Sequence, residues 1–158
     1  MNDVHAMFLR QSLIDCEQTF ADAVSRGGAL TWDWLVVTAS NEAQAAAYRA
    51  QIEQRLAAGQ LPRQTKYLAL PDPDGKRVGS GGATLHVMRE IAKRSPGGAF
   101  SSERILVLHS GGDSRRIPQY SACGKLFAKL PRELADGRVS TLFDEFCVSL
   151  SCLPHRMP

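Results

Sequence analysis

The residues best suited to chemistry lie in one run, Ile105-Leu106-Val107-Leu108-His109-Ser110-Gly111-Gly112-Asp113-Ser114-Arg115-Arg116-Ile117-Pro118, where an apolar segment empties into small residues followed by two guanidinium groups. Gly111 and Gly112 remove side chains where a ligand's phosphates would approach the main chain, and successive N–H groups in such a turn form a concave anion site. Arg115 and Arg116 add forked, permanently charged donors matched to phosphate oxygens. Pro118 stiffens the exit, and Gly124-Lys125 follows within reach of the same pocket. A Gly-Gly pair alone is often only a turn and adjacent arginines are often a solvated surface. The order strand, Gly-Gly, Arg-Arg, Pro, Gly-Lys favours a phosphate-handling loop.

A second candidate is Gly79-Ser80-Gly81-Gly82-Ala83-Thr84, placed at the entrance of a predicted helix, with Lys76 and Arg77 just upstream. The unpaired N–H groups and the positive dipole end of a helix start favour an anion. Three glycines in four positions are entropically costly unless something must come close to the backbone. Neither common nucleotide loop accounts for the two segments. A Rossmann G-x-G-x-x-G has Thr84 at its third glycine, and a Walker A loop has Gln119 at its first glycine and Leu126 after Lys125.

These loops need a scaffold. Val4, Met7, Phe8, Leu13, Ile14, Phe20 and Val24 recur at helical spacing, which predicts an amphipathic helix or helix pair in an N-terminal segment, 1–28, closed by Gly27-Gly28. Trp32 to Thr38 reads as a buried strand, Ser40 or Asn41 starts an Ala-rich helix over 42–58, and Gly59 stops it. Lys66 to Leu70 is a second strand, Pro71 to Gly75 a loop, 85–93 a helix, and 104–109 a strand buried on both faces. From about Thr141 a further helix follows, and 153–158 end without a packed element, so a shortened domain is expected. Strand-helix alternation predicts an α/β fold with a mainly parallel sheet.

With 158 residues, 44% of them hydrophobic, the chain is expected to form one nucleotide-binding domain over 1–158. A formal charge of +3 with no basic stripe interleaved with aromatics favours small phosphorylated ligands over nucleic acid. Cys16, Cys123, Cys147 and Cys152 contain no C-x-x-C pair, so neither a zinc site nor a disulfide framework is signalled. No apolar stretch approaches the ~20 residues that span a bilayer, and the start lacks signal-peptide order. A cytoplasmic protein without membrane partners is therefore expected.

Arg77 to Leu85, Leu108 to Pro118 and Gly124-Lys125-Leu126-Phe127, together with Asp33 to Thr38 and Pro71-Asp72-Pro73, closely resemble the fucokinase and fucose-1-phosphate guanylyltransferase family over roughly residues 30–130. The resemblance implies a Rossmann-like sugar-nucleotidyltransferase layer. It also implies transfer of a guanylyl group from GTP to L-fucose 1-phosphate, releasing pyrophosphate. Its partners would be a nucleoside triphosphate and a sugar 1-phosphate, with Mg²⁺ as cofactor, although no metal ligand is identifiable in this chain.

Carried over from the family, Arg116 and Lys125 would be the catalytic cations. Gly111, Gly112, Ser114 and Arg115 would meet the nucleotide, with Gly79, Ser80, Gly81, Gly82 and Thr84 forming the second binding segment. The attacking phosphate is already ionised and needs no base, so His86 and His109 are assigned to packing or hydrogen bonding. Two other readings remain: a catalytically silent nucleotide-binding module, and part of an ATP-dependent L-fucokinase that uses Gly79 to Thr84 as its ATP loop.

Overall fold

Every residue of β1 (Trp34–Ala39) is buried, because this short apolar run sits in the middle of a parallel sheet with helices on both faces. The computed structural model describes residues 3–26, 31–95, 97, 101–110, 120, 124–134 and 136–156. Among these, β2 (Lys66–Pro71) pairs with one edge of β1 and β3 (Ile105–His109) with the other, both parallel, giving the order β2-β1-β3. The alternation of a strand divides β1 between two cores. Leu35, Val37 and Ala39 pack with Ala45, Tyr48 and Ile52 of α2 (Glu42–Ala57). Trp34 and Val36 pack with Val87 and Ile91 of α3 (Gly79–Arg94) on the opposite face.

Local signals set the helix ends. The Asn41 side chain accepts a hydrogen bond from the Gln44 N–H at 2.9 Å, capping α2, and Gly59 takes the left-handed conformation, φ +68°, just beyond its C-cap Ala58. The chain moves outward from β1 through α2 to β2, then returns across β1 through α3 to β3. Right-handed crossovers therefore put the two helices on opposite faces and leave a crevice at the carboxyl ends of β1 and β3.

Four expectations are corrected. The strand buried on both faces is β1. Ile105, Leu106 and Val107 of β3 are only partly buried, because β3 has a paired neighbour on one side alone among the described residues. The N-terminal segment is one helix, α1 (Asp3–Arg26), and its apolar stripe is not a core face: Val4, Met7 and Phe8 are 75%, 69% and 68% exposed. Only its second half meets the body, through Phe20 against the main core and a Ser151 hydroxyl that donates to the Cys16 carbonyl at 2.9 Å.

Pro71, read as loop, is the last residue of β2, and only Pro73–Gly75 forms a short 3₁₀ turn. The final stretch is packed: Leu153–Arg156 make a 3₁₀ turn with Pro154 buried. Between the main sheet and this end lies an antiparallel pair that sequence reading missed, β4 (Lys129–Glu133) and β5 (Val139–Thr141).

The last helix, α4 (Leu142–Ser149), starts on a reciprocal cap between Thr141 and Asp144. Asp144 also accepts two hydrogen bonds from Arg55 of α2, from Nε at 3.0 Å and from Nη2 at 3.3 Å, and both side chains are buried. The guanidinium carbon lies 5.0 Å from the centre of the Phe127 ring and 5.8 Å from that of Phe143. This ion pair joins α2 to the C-terminal unit inside an aromatic shell. Burial, reinforced by the charge of Asp144, pushes the Cys147 thiol far above its usual range, so it packs as an inert apolar group.

Candidate functional site

The crevice at the strand ends is a real cleft of about 300 Å³, a volume at the small end of the range for ligand sites. β1 contributes Thr38 and β3 contributes His109. Asp72, just past β2, is tied to the same level by its N–H, which donates to the Ala39 carbonyl at 2.8 Å. Arg77, Gly79 and Ser80 form the wall leading into α3, with the small Ala83 one turn further along. The cleft thus joins a switch point of the sheet, a helix start and a guanidinium group.

No side chain caps α3: its N-cap is Val78, which has none to offer the first N–H groups. Those donors and the helix dipole face the cleft's end of the helix, where an anion would satisfy them. Thr84 lies one turn into α3. Its hydroxyl donates to the Ser80 carbonyl at 2.9 Å and lies 3.1 Å from His109 Nε2. A hydroxyl has one proton, so His109 is the donor to Thr84 in this arrangement. His109 therefore bonds the second glycine segment to the end of β3.

The glycines divide by role. Gly79 has φ +69° and needs its conformational freedom. At Gly82 an added Cβ would stand 2.7 Å from the Val78 Cβ, so internal packing by itself already requires glycine here. A Cβ on Gly81 would meet nothing within 4 Å. The expected contrast is direct. Gly82→Ala costs about 1–3 kcal/mol of stability through overpacking. Gly81→Ala stabilises by about 0.5–1 kcal/mol, since alanine is the better helix former. If the open space beside Gly81 is where phosphate sits, Gly81→Ala also weakens nucleotide binding; urea unfolding and nucleotide titration of the two variants read both effects.

Sequence reading missed Thr38 and Asp72. Thr38 was visible as the one hydroxyl at the end of an apolar strand, whereas Asp72 was passed over as part of a Pro-Asp turn. Gly111, Gly112, Ser114, Arg115 and Arg116 lie outside the described residues, as does Asp113. Their chain neighbour Ser110 is described and buried. Its N–H donates to Thr38 Oγ1 at 3.2 Å, which places Ser110 itself beside the cleft. Lys125 begins the 3₁₀ turn Lys125–Phe127, with its side chain exposed and not among the described residues that line the cleft.

The described residues contain no group of three or more His, Cys, Asp or Glu side chains placed to hold a metal ion, and Asp72 is the one carboxylate lining the cleft among them. That donor set does not make a resident metal cage. None of the described helices is long and apolar enough to cross a membrane. Another depression, of about 410 Å³, lies between α1, α4 and the β4-β5 pair, but its charges are committed to one another: Arg132 to Glu17 and Glu145, Arg138 to Asp136 and Asp144.

Residues 97–158 match the fucose pyrophosphorylase domain family. The bifunctional fucokinase/GDP-fucose pyrophosphorylase of Arabidopsis thaliana is 37% identical over 144 residues, covering 77% of this chain and 14% of that protein. The fucose-1-phosphate guanylyltransferase of Mus musculus is 40% identical over 100 residues, covering 63% of this chain and 17% of that protein. The L-fucokinase/L-fucose-1-P guanylyltransferase of Bacteroides fragilis is 36% identical over 73 residues, 43% of this chain and 8% of that protein. The chain therefore spans less than a fifth of the length of these relatives. No solved structure matches. Over the matched residues, the chain is similar to the fucose-1-phosphate guanylyltransferase and GDP-fucose pyrophosphorylase family.

Proposed function

We propose that this chain is the nucleotide-binding part of a GDP-L-fucose pyrophosphorylase, and that the strand-end cleft receives the polyphosphate of GTP. The observation that supports this most is the meeting of the uncapped start of α3 with the carboxyl ends of β1 and β3, where Ser110 leads directly into the Gly-Gly, Arg-Arg segment. Helix-start N–H groups, the Gly79-Ser80-Gly81 backbone and Arg77 supply positive potential where the phosphates would lie. The reaction is in-line displacement at the α-phosphorus. A sugar 1-phosphate oxygen forms the new P–O bond as the bond to pyrophosphate breaks, and the electron pair leaves with pyrophosphate. Arg116 and Lys125 are the groups assigned to the charge that develops on the leaving group.

Magnesium belongs to this proposal as the counter-ion that arrives on the triphosphate, since such ions are held largely by substrate phosphates. No protein step depends on it. Guanine and fucose enter through the relatives' names alone.

The test is to incubate the chain with GTP, fucose 1-phosphate, Mg²⁺ and pyrophosphatase, and to measure phosphate release beside direct GTP binding. Sustained release with formation of GDP-fucose supports the transferase. Binding without release selects a silent nucleotide-binding module, and absence of both overturns the proposal. Transfer of a γ-phosphate to free fucose would instead place the chain with the kinase activity.

A further inference from the structure

Tyr48 is the largest fully buried side chain described, and its hydroxyl is where three parts of the site converge. It lies 2.8 Å from the Ser110 hydroxyl, a buried contact between residues 62 positions apart. Ser110 in turn donates its N–H to Thr38, which lines the cleft. On the other side is Gly124, φ +73°, so close that an added Cβ would stand 1.8 Å from the Tyr48 oxygen and 2.7 Å from the ring carbon bearing it. Gly124 leads straight into Lys125, and the Tyr48 ring packs against Phe127 in the same turn, centroid to centroid 5.4 Å. The end of β1, the end of β3 and the start of the Lys125 turn are therefore linked through Tyr48 and Ser110.

A phenylalanine would fill the core here as well as tyrosine does. The hydroxyl is buried at a desolvation cost that only its hydrogen bonding offsets, so the polar atom is present for what it aligns. We propose that Tyr48 is a positioning residue of the nucleotide site: its hydroxyl fixes Ser110 relative to Gly124 and so sets where the end of β3 and the Lys125 turn stand relative to the cleft. This rests on the polyphosphate reading of the cleft. Tyr48 touches no reacting atom; it acts through Ser110 and Gly124.

The test compares Tyr48→Phe with Ile52→Val one turn along the same helix. The latter removes a buried methylene and lowers stability by a comparable amount without touching Ser110 or Gly124. GTP is the probe, its Kd measured by calorimetry in the full chain, with hydrogen exchange at the Ser110 amide as an independent readout. Tyr48→Phe is expected to raise the Kd about fivefold to tenfold, the equivalent of one buried hydrogen bond, and to speed exchange at Ser110. Ile52→Val is expected to change neither. Ser110→Ala should also weaken binding, and adding it to Tyr48→Phe should cost little further, because the Tyr48–Ser110 contact is already gone.

Equal GTP affinity in Tyr48→Phe and Ile52→Val overturns this inference alone. Additive losses in the double variant would also overturn it. If the unaltered chain binds no GTP, the polyphosphate reading fails and the positioning role falls with it.

Discussion

Replacing Asp144 with alanine is expected to destabilise the fold by about 3–5 kcal/mol, because it strands a buried guanidinium without its counter-charge. Arg55 and Asp144 are only 7% and 5% exposed, and Arg55 directs two of its donors at the one carboxylate. Its other hydrogen bonds, to the backbone and side chain of Gln51 and to the Thr141 hydroxyl, carry no negative charge. The loss should appear as a lower urea midpoint with little change in slope. Replacing both partners with apolar residues of similar size, Arg55→Met with Asp144→Leu, should recover part of it, since the orphaned charge goes with the interaction while the cap that Asp144 makes with Thr141 stays lost.

The same pair gives a pH signature. Burial works to raise the Asp144 carboxyl, but hydrogen bonds from Arg55 and Thr141 and the Arg55 charge outweigh it and hold the group below its ordinary value of 3.8. A carboxyl depressed in the folded state contributes stability that is present above the unfolded value and is lost as pH falls through the folded one. Unfolding midpoints measured downward from pH 5 should therefore drop in the window below about 3.8. Asp144→Asn should flatten that part of the profile.

Gly124→Ala is the second large effect. A φ of +73° with ψ 145° is a region that only glycine occupies at low cost. The new Cβ would also overlap the Tyr48 hydroxyl, and the Tyr48 ring, fully buried between β1 and the Phe127 turn, has no room to retreat. Backbone strain and overpacking together predict a loss of about 2–5 kcal/mol, read by urea unfolding. The Lys125–Phe127 turn should be displaced if the fold survives. Gly81→Ala, which also adds a single methyl to a glycine of the two phosphate segments, should leave the fold intact. The difference lies in what surrounds each Cβ, not in the residue type.

These packing roles explain what the sequence could and could not disclose. Asn41 and Gly59 punctuate α2 by local chemistry, so its bounds were readable, and the apolar run of β1 announced itself by composition. The β4-β5 pair did not, because Lys129–Glu133 carries Pro131 and three charges, a composition that argues against a strand unless the strand is an exposed edge. The stripe from Val4 to Ile14 shows the reverse failure: helical spacing was read correctly, but spacing does not say whether anything packs against it.

At the site, both glycine segments and Lys125 were visible as types in an order. The contact that ties Ser110 to Tyr48 was not, since a pairing across 62 positions has no local signature. Gly82 was legible as a constrained glycine, but the packing of Val78 against it was not. His109 was assigned a hydrogen-bonding part, and it bonds Thr84 across the cleft's rim.

The central claim is that a triphosphate lies in the crevice between β1, β3 and the start of α3, and amide shifts on titration with GTP test it most directly. The largest shifts in a ¹H–¹⁵N spectrum are expected on Gly79, Ser80 and Gly81 with Thr38 and His109, diminishing as salt is raised. Shifts gathered at α1 and the β4-β5 pair, with the amides at the start of α3 unmoved by saturating nucleotide, would contradict it.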